Sequence, residues 1–362
     1  MYSVVALAVG LVAALAAMER GREDTLGWWR VAAGATGALY PYVMDMLLWL
    51  LGSGAYLQMQ HGFFWALPLA PFHAIAVAAG LRAASGKLFG ELFVPVAAGM
   101  ASTIMLALLT SDGIAPLALL WDGRVGLNVL YDFDALVFGL SALTLVLAGV
   151  FYPLRMYVAR MGLVCLVLYV LSTAGFAWQA RGFGGDYAEE HGLEDSDVVA
   201  VPQALSPMNW RVMVTDNQGF VHDTLINLKR DKVLTVKEGD TRAARIDALY
   251  RPRRLAVWRV YDRFGRAGED TAEDRLRVER AWDAWQDTSF AWYGRYAVFD
   301  GLVQEPLRGL KATCVQFVDL RYEAARDEEH GVYVVCPKAK GGARVLRPDD
   351  GDYEELVGLG VM

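Results

Sequence analysis

The run Met161-Gly-Leu-Val-Cys-Leu-Val-Leu-Tyr-Val-Leu-Ser-Thr-Ala-Gly-Phe-Ala-Trp178 passes directly into Gln179-Ala-Arg-Gly-Phe-Gly-Gly-Asp-Tyr-Ala-Glu-Glu-His-Gly-Leu-Glu-Asp-Ser-Asp197. Eighteen residues without a charge are followed by nineteen that carry seven. The first stretch has the length and polarity of a bilayer-crossing helix, and the second has the composition of a segment in water. The same boundary divides the whole chain. Seventeen charged residues precede Gln179 and the remaining 58 of 75 follow it, so two solvents are implied, lipid before and water after. With 55% hydrophobic and 21% charged residues, the 362-residue chain is too apolar for a water-soluble enzyme of this size. Its net charge of −7 lies mostly in the second half, where 26 basic residues face 32 acidic ones, which argues against a nucleic-acid-binding surface. Three cysteines without a C-x-x-C pair exclude a cysteine-based zinc site.

Apolar stretches run over residues 2–17, 26–52, 62–81, 88–109, 136–154 and 161–178, which predicts a membrane all-α bundle of about six transmembrane helices over 1–178. The first stretch is short. Met1 enters it without a basic leader and Met18-Glu19-Arg20 is a poor cleavage site, so it is read as a span and not as a signal peptide. Lys and Arg gather on cytoplasmic loops, and here Arg20, Arg22, Arg82, Lys87, Arg155 and Arg160 mark the odd loops as inside. Loop 53–61 has no Lys or Arg, and loop 110–135 has only Arg124 among several aspartates. The N-terminus and the C-terminal domain are then both extracytoplasmic.

After a linker at 179–200, residues 201–362 read as a soluble α+β domain with a small antiparallel sheet. Residues 210–215 and 220–228 alternate around an Asp-Asn-Gln-Gly turn as a hairpin should. Residues 240–286 carry a helical pattern, and 313–322 and 332–335 return to strand character. Cys314 and Cys336 lie opposite each other if the intervening turn centres near 325–329, which predicts a disulfide; the alternative is two buried thiols. Cys165, in apolar company, is read as packing.

Ionisable groups within spans are costly and therefore functional candidates: Arg30, Asp45, His73 and Glu91. The outer loops add His61, Asp112, Asp122, Asp132 and Asp134, an oxygen-rich set suited to a hard cation such as Mg or Ca. The structural alternatives are a packing histidine at 73, snorkelling Arg30 and Glu91, and loop aspartates that serve as caps. His191, His222 and His330 form no H-E-x-x-H pattern, and no nucleophile elbow, P-loop or dinucleotide turn occurs. Trp258, Trp282, Trp285 and Trp292 crowd one region, either as an interface or, for Trp282 and Trp285 at i and i+3, as the buried face of a helix.

Several stretches resemble the bacterial membrane-bound family of metal-dependent hydrolases of the YdjM and YbcI type. Pro41-Tyr-Val-Met-Asp45 is similar to the family's P-D-x-D segment, and Gln60-His-Gly-Phe-Phe-Trp-Ala66 to its H-R-G-x-T-H-S loop. Ser102-Thr-Ile-Met-Leu-Ala-Leu-Leu-Thr-Ser-Asp-Gly113 resembles S-H-x-x-x-D-x-x-T-x-x-G, and the segment from Asn128 to Leu136 resembles one ending in I-D-P. Ser206-Pro-Met-Asn-Trp210 and Val318-Asp-Leu-Arg-Tyr322 resemble motifs of longer members. The resemblance implies a membrane-embedded hydrolase whose His and Asp side chains hold a metal that activates water against an ester or lipid-like phosphodiester. Carried over residue by residue, the ligands fall on Ala6, Tyr42, Met44, Gln60, Trp65, Thr103 and Ala107, with Asp134 retained, Asp45 one place late and His61 displaced.

The expectation is therefore a catalytically degenerate member of this family, acting as a structural or interaction protein without a cofactor. Its expected partners are the lipid bilayer and other membrane proteins. The alternative is a divalent-metal (Zn, Mn or Mg) hydrolase with a residual site at Asp45, His61, Asp112, Asp132 and Asp134. A transporter is a weaker third, because the spans show no inverted repeat.

Overall fold

The computed structural model describes residues 2–17, 27–50, 63–117, 123–265, 271–288, 291–304, 313–321, 331–338, 342–349 and 352–356. The chain divides into two compact units, Met1–Gly175 and Phe176–Met362.

The first unit contains helices α1 (Tyr2–Ala16), α2 (Gly27–Leu50), α3 (Ala70–Ser85), α4 (Phe89–Leu109) and α5 (Ala135–Val150), with a 3-10 turn at Phe63–Trp65. Helix α6 (Arg155–Glu190) begins in this unit and continues into the next. Small residues let α1, α2 and α4 approach at backbone distance. A Cβ on Gly34 would sit 2.2 Å from the Ala14 Cβ, and one on Gly99 2.2 Å from the Gly34 carbonyl oxygen. Thr103 donates its hydroxyl to the Ala38 carbonyl at 2.9 Å, tying α4 to α2. Arg30 and Glu91 do not snorkel; they pair at 3.8 Å with about a tenth of each side chain exposed.

The six-span bundle is not what forms. Among the described residues, two helical stretches are long and apolar enough to cross a bilayer, Phe89–Leu109 and Tyr152–Glu190. Helices α1, α3 and α5 have 15, 16 and 16 residues, short of the roughly 20 that a 30 Å hydrocarbon core needs. Helix α3 starts only at Ala70, so residues 63–69 of the apolar run 62–81 precede it, in a 3-10 turn and the stretch after it. Helix α2 is long enough, but Arg30, Asp45, Pro41 and its tyrosines and glycines dilute its hydropathy.

The second unit is built on two five-stranded sheets instead of the one small sheet expected. The first comprises β1 (Asp197–Pro202), β2 (Asn209–Thr215), β3 (Phe220–Asn227), β4 (Arg251–Pro252) and β5 (Arg259–Asp262). The expected hairpin is β2–β3, paired from Asn209↔Asn227 to Thr215↔Val221. The far edge of β3 is shared, with β4 parallel to it at Ile226–Asn227 and β5 antiparallel at Phe220–Asp223. The second sheet is an antiparallel meander of β6 (Ala297–Gln304), β7 (Thr313–Asp319), β8 (Val332–Pro337), β9 (Ala343–Asp349) and β10 (Asp352–Leu356). Residues 240–286 are not one helical block: α7 (Arg242–Ala248) and α8 (Ala272–Gln286) flank β4 and β5, where alternating Arg and apolar residues pair with β3.

Residues 179–190, expected as linker, are the last turns of α6. Phe176, Ala177, Ala180 and Phe183 pack on Trp210, Val212, Ile226 and Leu228 of the first sheet. Helix α8 lays fully buried Trp285 against Phe317 and Tyr333 of the second sheet, with ring centroids 5.4 Å apart in both pairs, so Trp282 and Trp285 mark a core face. Cys314 and Cys336 stand opposite each other on β7 and β8 and are joined as a disulfide. The turn expected near 325–329 lies outside the described residues.

The two sheets share a buried charge. Arg211 on β2 is fully buried and grips both oxygens of Asp223 on β3, at 2.6 and 2.7 Å. Its remaining nitrogen donates to the carbonyl of Leu320, just after β7. Arg259 adds a third donor to Asp223 at 2.9 Å.

Candidate functional site

The acids singled out in the sequence lie within the first unit's span of the chain, and the structure gives Asp45, Asp112, Asp132 and Asp134 a local context. Asp45 is buried on α2 and accepts the indole N–H of buried Trp65 at 2.9 Å. Asp134 caps α5: one carboxylate oxygen accepts the backbone N–H groups of Leu136 and Val137 at 2.9 and 3.0 Å, and the other accepts the Tyr169 hydroxyl at 2.8 Å. Asp112 and Asp132 both act on Tyr131, whose phenol is pushed above its usual range by burial first and by these two carboxylates second. His61, Asp122 and His330 lie outside the described residues.

The loop that bears these acids is folded back on α4. Ile114 and Val125 form a two-way bridge, and Leu127, Val129 and Leu130 donate to the carbonyls of Leu108 and Leu109. Gly113 adopts φ +61° there, with its Cβ position 2.4 Å from the Val125 carbonyl oxygen, so only glycine closes this turn. His73 is a packing histidine, hydrogen-bonded through Nδ1 to the Tyr40 hydroxyl at 3.2 Å. The positions carried over as Ala6, Thr103 and Ala107 are buried. Among the described residues, no three His, Cys, Asp or Glu side chains are grouped so as to hold a metal ion.

A second constellation, in the second unit, gathers Trp258, an interface candidate in the sequence, with residues the sequence reading assigned to a linker. A cleft of about 440 Å³ is lined by Phe183, Asp186, Tyr187, Glu190, His191, Arg253, Ala256 and Trp258. Trp258 stacks on Tyr187 at 3.7 Å between centroids and on Phe183 at 5.8 Å, and His191 stacks on the Tyr187 ring at 4.0 Å. The Tyr187 hydroxyl is hydrogen-bonded to His222 Nδ1 at 3.0 Å. Burial depresses the His222 imidazole below its ordinary range, an effect Asp216 opposes and His191 reinforces. Two carboxylates and one guanidinium border a wall of stacked rings, with no Ser, Cys or Thr nucleophile among the lining residues. Such a wall binds flat or cationic groups by stacking and cation–π attraction.

The signal for this cleft was present in the sequence as Phe183, Tyr187 and His191, spaced i, i+4 and i+8, which is one face of a helix. Reading the segment as a linker hid that spacing. Comparison with protein-family models, with curated proteins and with solved structures finds no match to this chain.

Proposed function

We propose that this is a membrane-tethered interaction protein, a catalytically degenerate relative of the metal-dependent hydrolases it resembles, whose second unit presents its ring-lined cleft to a partner outside the cytoplasm. The observation that carries this reading is the commitment of Asp134, the one acid retained at a family ligand position: both its oxygens are used, one to cap α5 and one to hold Tyr169. A carboxylate spent on a cap and a phenol is a structural group. Helix α6, with Arg155 and Arg160 at its N-terminal end, supports a cytoplasmic start for that span, and the disulfide is compatible with an oxidising compartment for the second unit. Co-purification from native membranes in mild detergent tests the reading: a partner retained by the wild-type chain and lost in Trp258→Ala supports it.

A residual hydrolase at Asp45, His61, Asp112, Asp132 and Asp134 is the second reading. Elemental analysis of the purified chain separates the two. Stoichiometric zinc or manganese that disappears in Asp45→Ala and His61→Ala would overturn the interaction reading.

A further inference from the structure

One end of the first sheet has a composition unlike the rest of the chain. Residues 229–257 carry nine Lys and Arg against four Asp and Glu, a net charge of +5 in a chain whose total is −7. All of these basic side chains except Arg230 are exposed. Between them, Val233, Leu234, Val236, Leu249, Leu255 and Val257 are each 39–54% exposed, a density of uncovered aliphatic side chains that a water-facing surface does not favour.

The segment is a single folded surface. Arg230 donates to the carbonyls of Asp247 and Tyr250 at 2.8 and 2.7 Å and to the Asp247 carboxylate at 2.8 Å. Arg254 donates to the Asp231 carbonyl at 2.7 Å. The stretch between β4 and β5 turns back beyond the end of β3, since Pro252 pairs with Asn227 and Arg259 with Asp223. The loop between β1 and β2 reaches the same end: Leu228 donates to the Met208 carbonyl, and neighbouring Leu205 is 58% exposed.

This end is also where α6 arrives from its apolar stretch. The Lys229 ammonium lies 5.9 Å above the Phe176 ring, and Phe176 and Ala177 pack beside Met208 and Leu228. Trp178, the last residue of the uncharged run, is 77% exposed, as an interfacial tryptophan is. Climbing the helix from there leads away along the sheet, to Tyr187 beside His222. Basic residues with aliphatic neighbours, at the level where a span leaves the hydrocarbon, match an anionic headgroup layer, with cations on the phosphates and aliphatic side chains below them.

We infer that the end of the first sheet formed by residues 203–208 and 229–257, apart from Arg253 and Ala256 that line the cleft, docks onto the anionic lipid surface of the bilayer that α6 crosses. This rests on the reading of α6 as a span. Docking fixes the second unit upright at the membrane and leaves the opposite end of the sheet, the β2–β3 turn at Gln218, in water.

The test uses the full chain in nanodiscs, with Cys165→Ser removing the free thiol and a nitroxide attached at Leu234→Cys or, separately, at Gln218→Cys. Oxygen concentrates in lipid and a charged nickel chelate in water. In phosphatidylglycerol discs the 234 label is expected to be several-fold more accessible to oxygen than to nickel, and the 218 label the reverse. In phosphatidylcholine discs, in about 0.5 M salt where screening falls to roughly 4 Å, or with Lys232→Glu, Lys237→Glu and Arg245→Glu combined, the 234 label should come to match 218. A 234 label that matches 218 in phosphatidylglycerol overturns the inference. So does equal immersion in both lipids, and so does shielding from both reagents, which signals a protein partner. The salt arm needs no substitution in the patch and guards against a misfolded variant. Failure of the chain to enter nanodiscs at all is a different result and overturns the membrane reading instead.

Discussion

Asp223→Ala removes one partner of a pair that no solvent reaches. The side chains of Arg211 and Asp223 are both 0% exposed, and Asp223 is the only carboxylate among the described residues that pairs with Arg211. Without it the guanidinium loses the hydrogen bonds at 2.6 and 2.7 Å and its charge stays in the interior. Removing one member of a buried pair costs about 3–5 kcal/mol, mostly for the charge left behind. For a cooperative unit of this size, about 1 kcal/mol shifts the melting temperature by roughly 2–4 °C. The midpoint should therefore fall by roughly 6–20 °C, followed by near-ultraviolet circular dichroism of the detergent-solubilised chain. The double variant Arg211→Met with Asp223→Leu removes charge and counter-charge together and should recover most of that loss, because well-packed apolar replacements of buried pairs are often neutral or better. A natively folded Asp223→Ala chain that loses less than about 1 kcal/mol would refute the reasoning, since Arg211 would then have found another counter-charge or water.

Asp134→Ala should cost about 1–3 kcal/mol, from the lost cap of α5 and the stranded Tyr169 hydroxyl, whereas Asp134→Asn should keep most of the stability; thermal unfolding of both variants decides. Alkylation without reduction should modify neither Cys314 nor Cys336, and reduction should destabilise the second unit by about 3 kcal/mol for a loop with a sequence separation of 22, read as a lower unfolding midpoint. The pH dependence follows from His222, whose folded imidazole binds a proton less readily than the unfolded one. The unfolded state takes up the proton first as pH falls, so this contribution to stability is present above about pH 6.5 and is lost below it. His222→Gln should flatten the stability slope between about pH 5 and 7; an unchanged slope assigns it to other groups. Gly113→Ala should destabilise the loop over α4, because its added methyl meets the Val125 carbonyl in a left-handed turn; increased amide exchange at Val125 and Leu127 is the readout.

The sequence shows most clearly what depends on alternation or on a change of composition. The boundary near residue 178 falls close to the division between the two units, and the β2–β3 hairpin and the Cys314–Cys336 pairing followed from period-two patterns around short turns. Helix length was not readable in the same way. Hydropathy reports how apolar a run is and not where its helix starts, so the turn at Phe63–Trp65 and the late start at Ala70 were invisible. The pairing of Arg30 with Glu91, 61 positions apart, needed the tertiary fold to bring α2 and α4 together. The fully buried Arg211 read as an ordinary alternating strand residue, because its burial depends on a second sheet that begins more than eighty positions later. Among the candidate acids, Asp134 just before an apolar run was legible as a cap, whereas the acceptor role of Asp45 required Trp65 to lie beside it.

Each sheet of the second unit is woven from one uninterrupted block of chain, from Asp197 to Asp262 and from Ala297 to Leu356. A chain delivered N-terminus first completes β1 to β5 while the later block is still unmade. At that stage Arg211 has Asp223 but lacks the Leu320 carbonyl, which arrives only after β7. A chain truncated anywhere between the sheets would lack that bond and leave bare the face that Met213 and Val221 turn toward Val318 and Leu320.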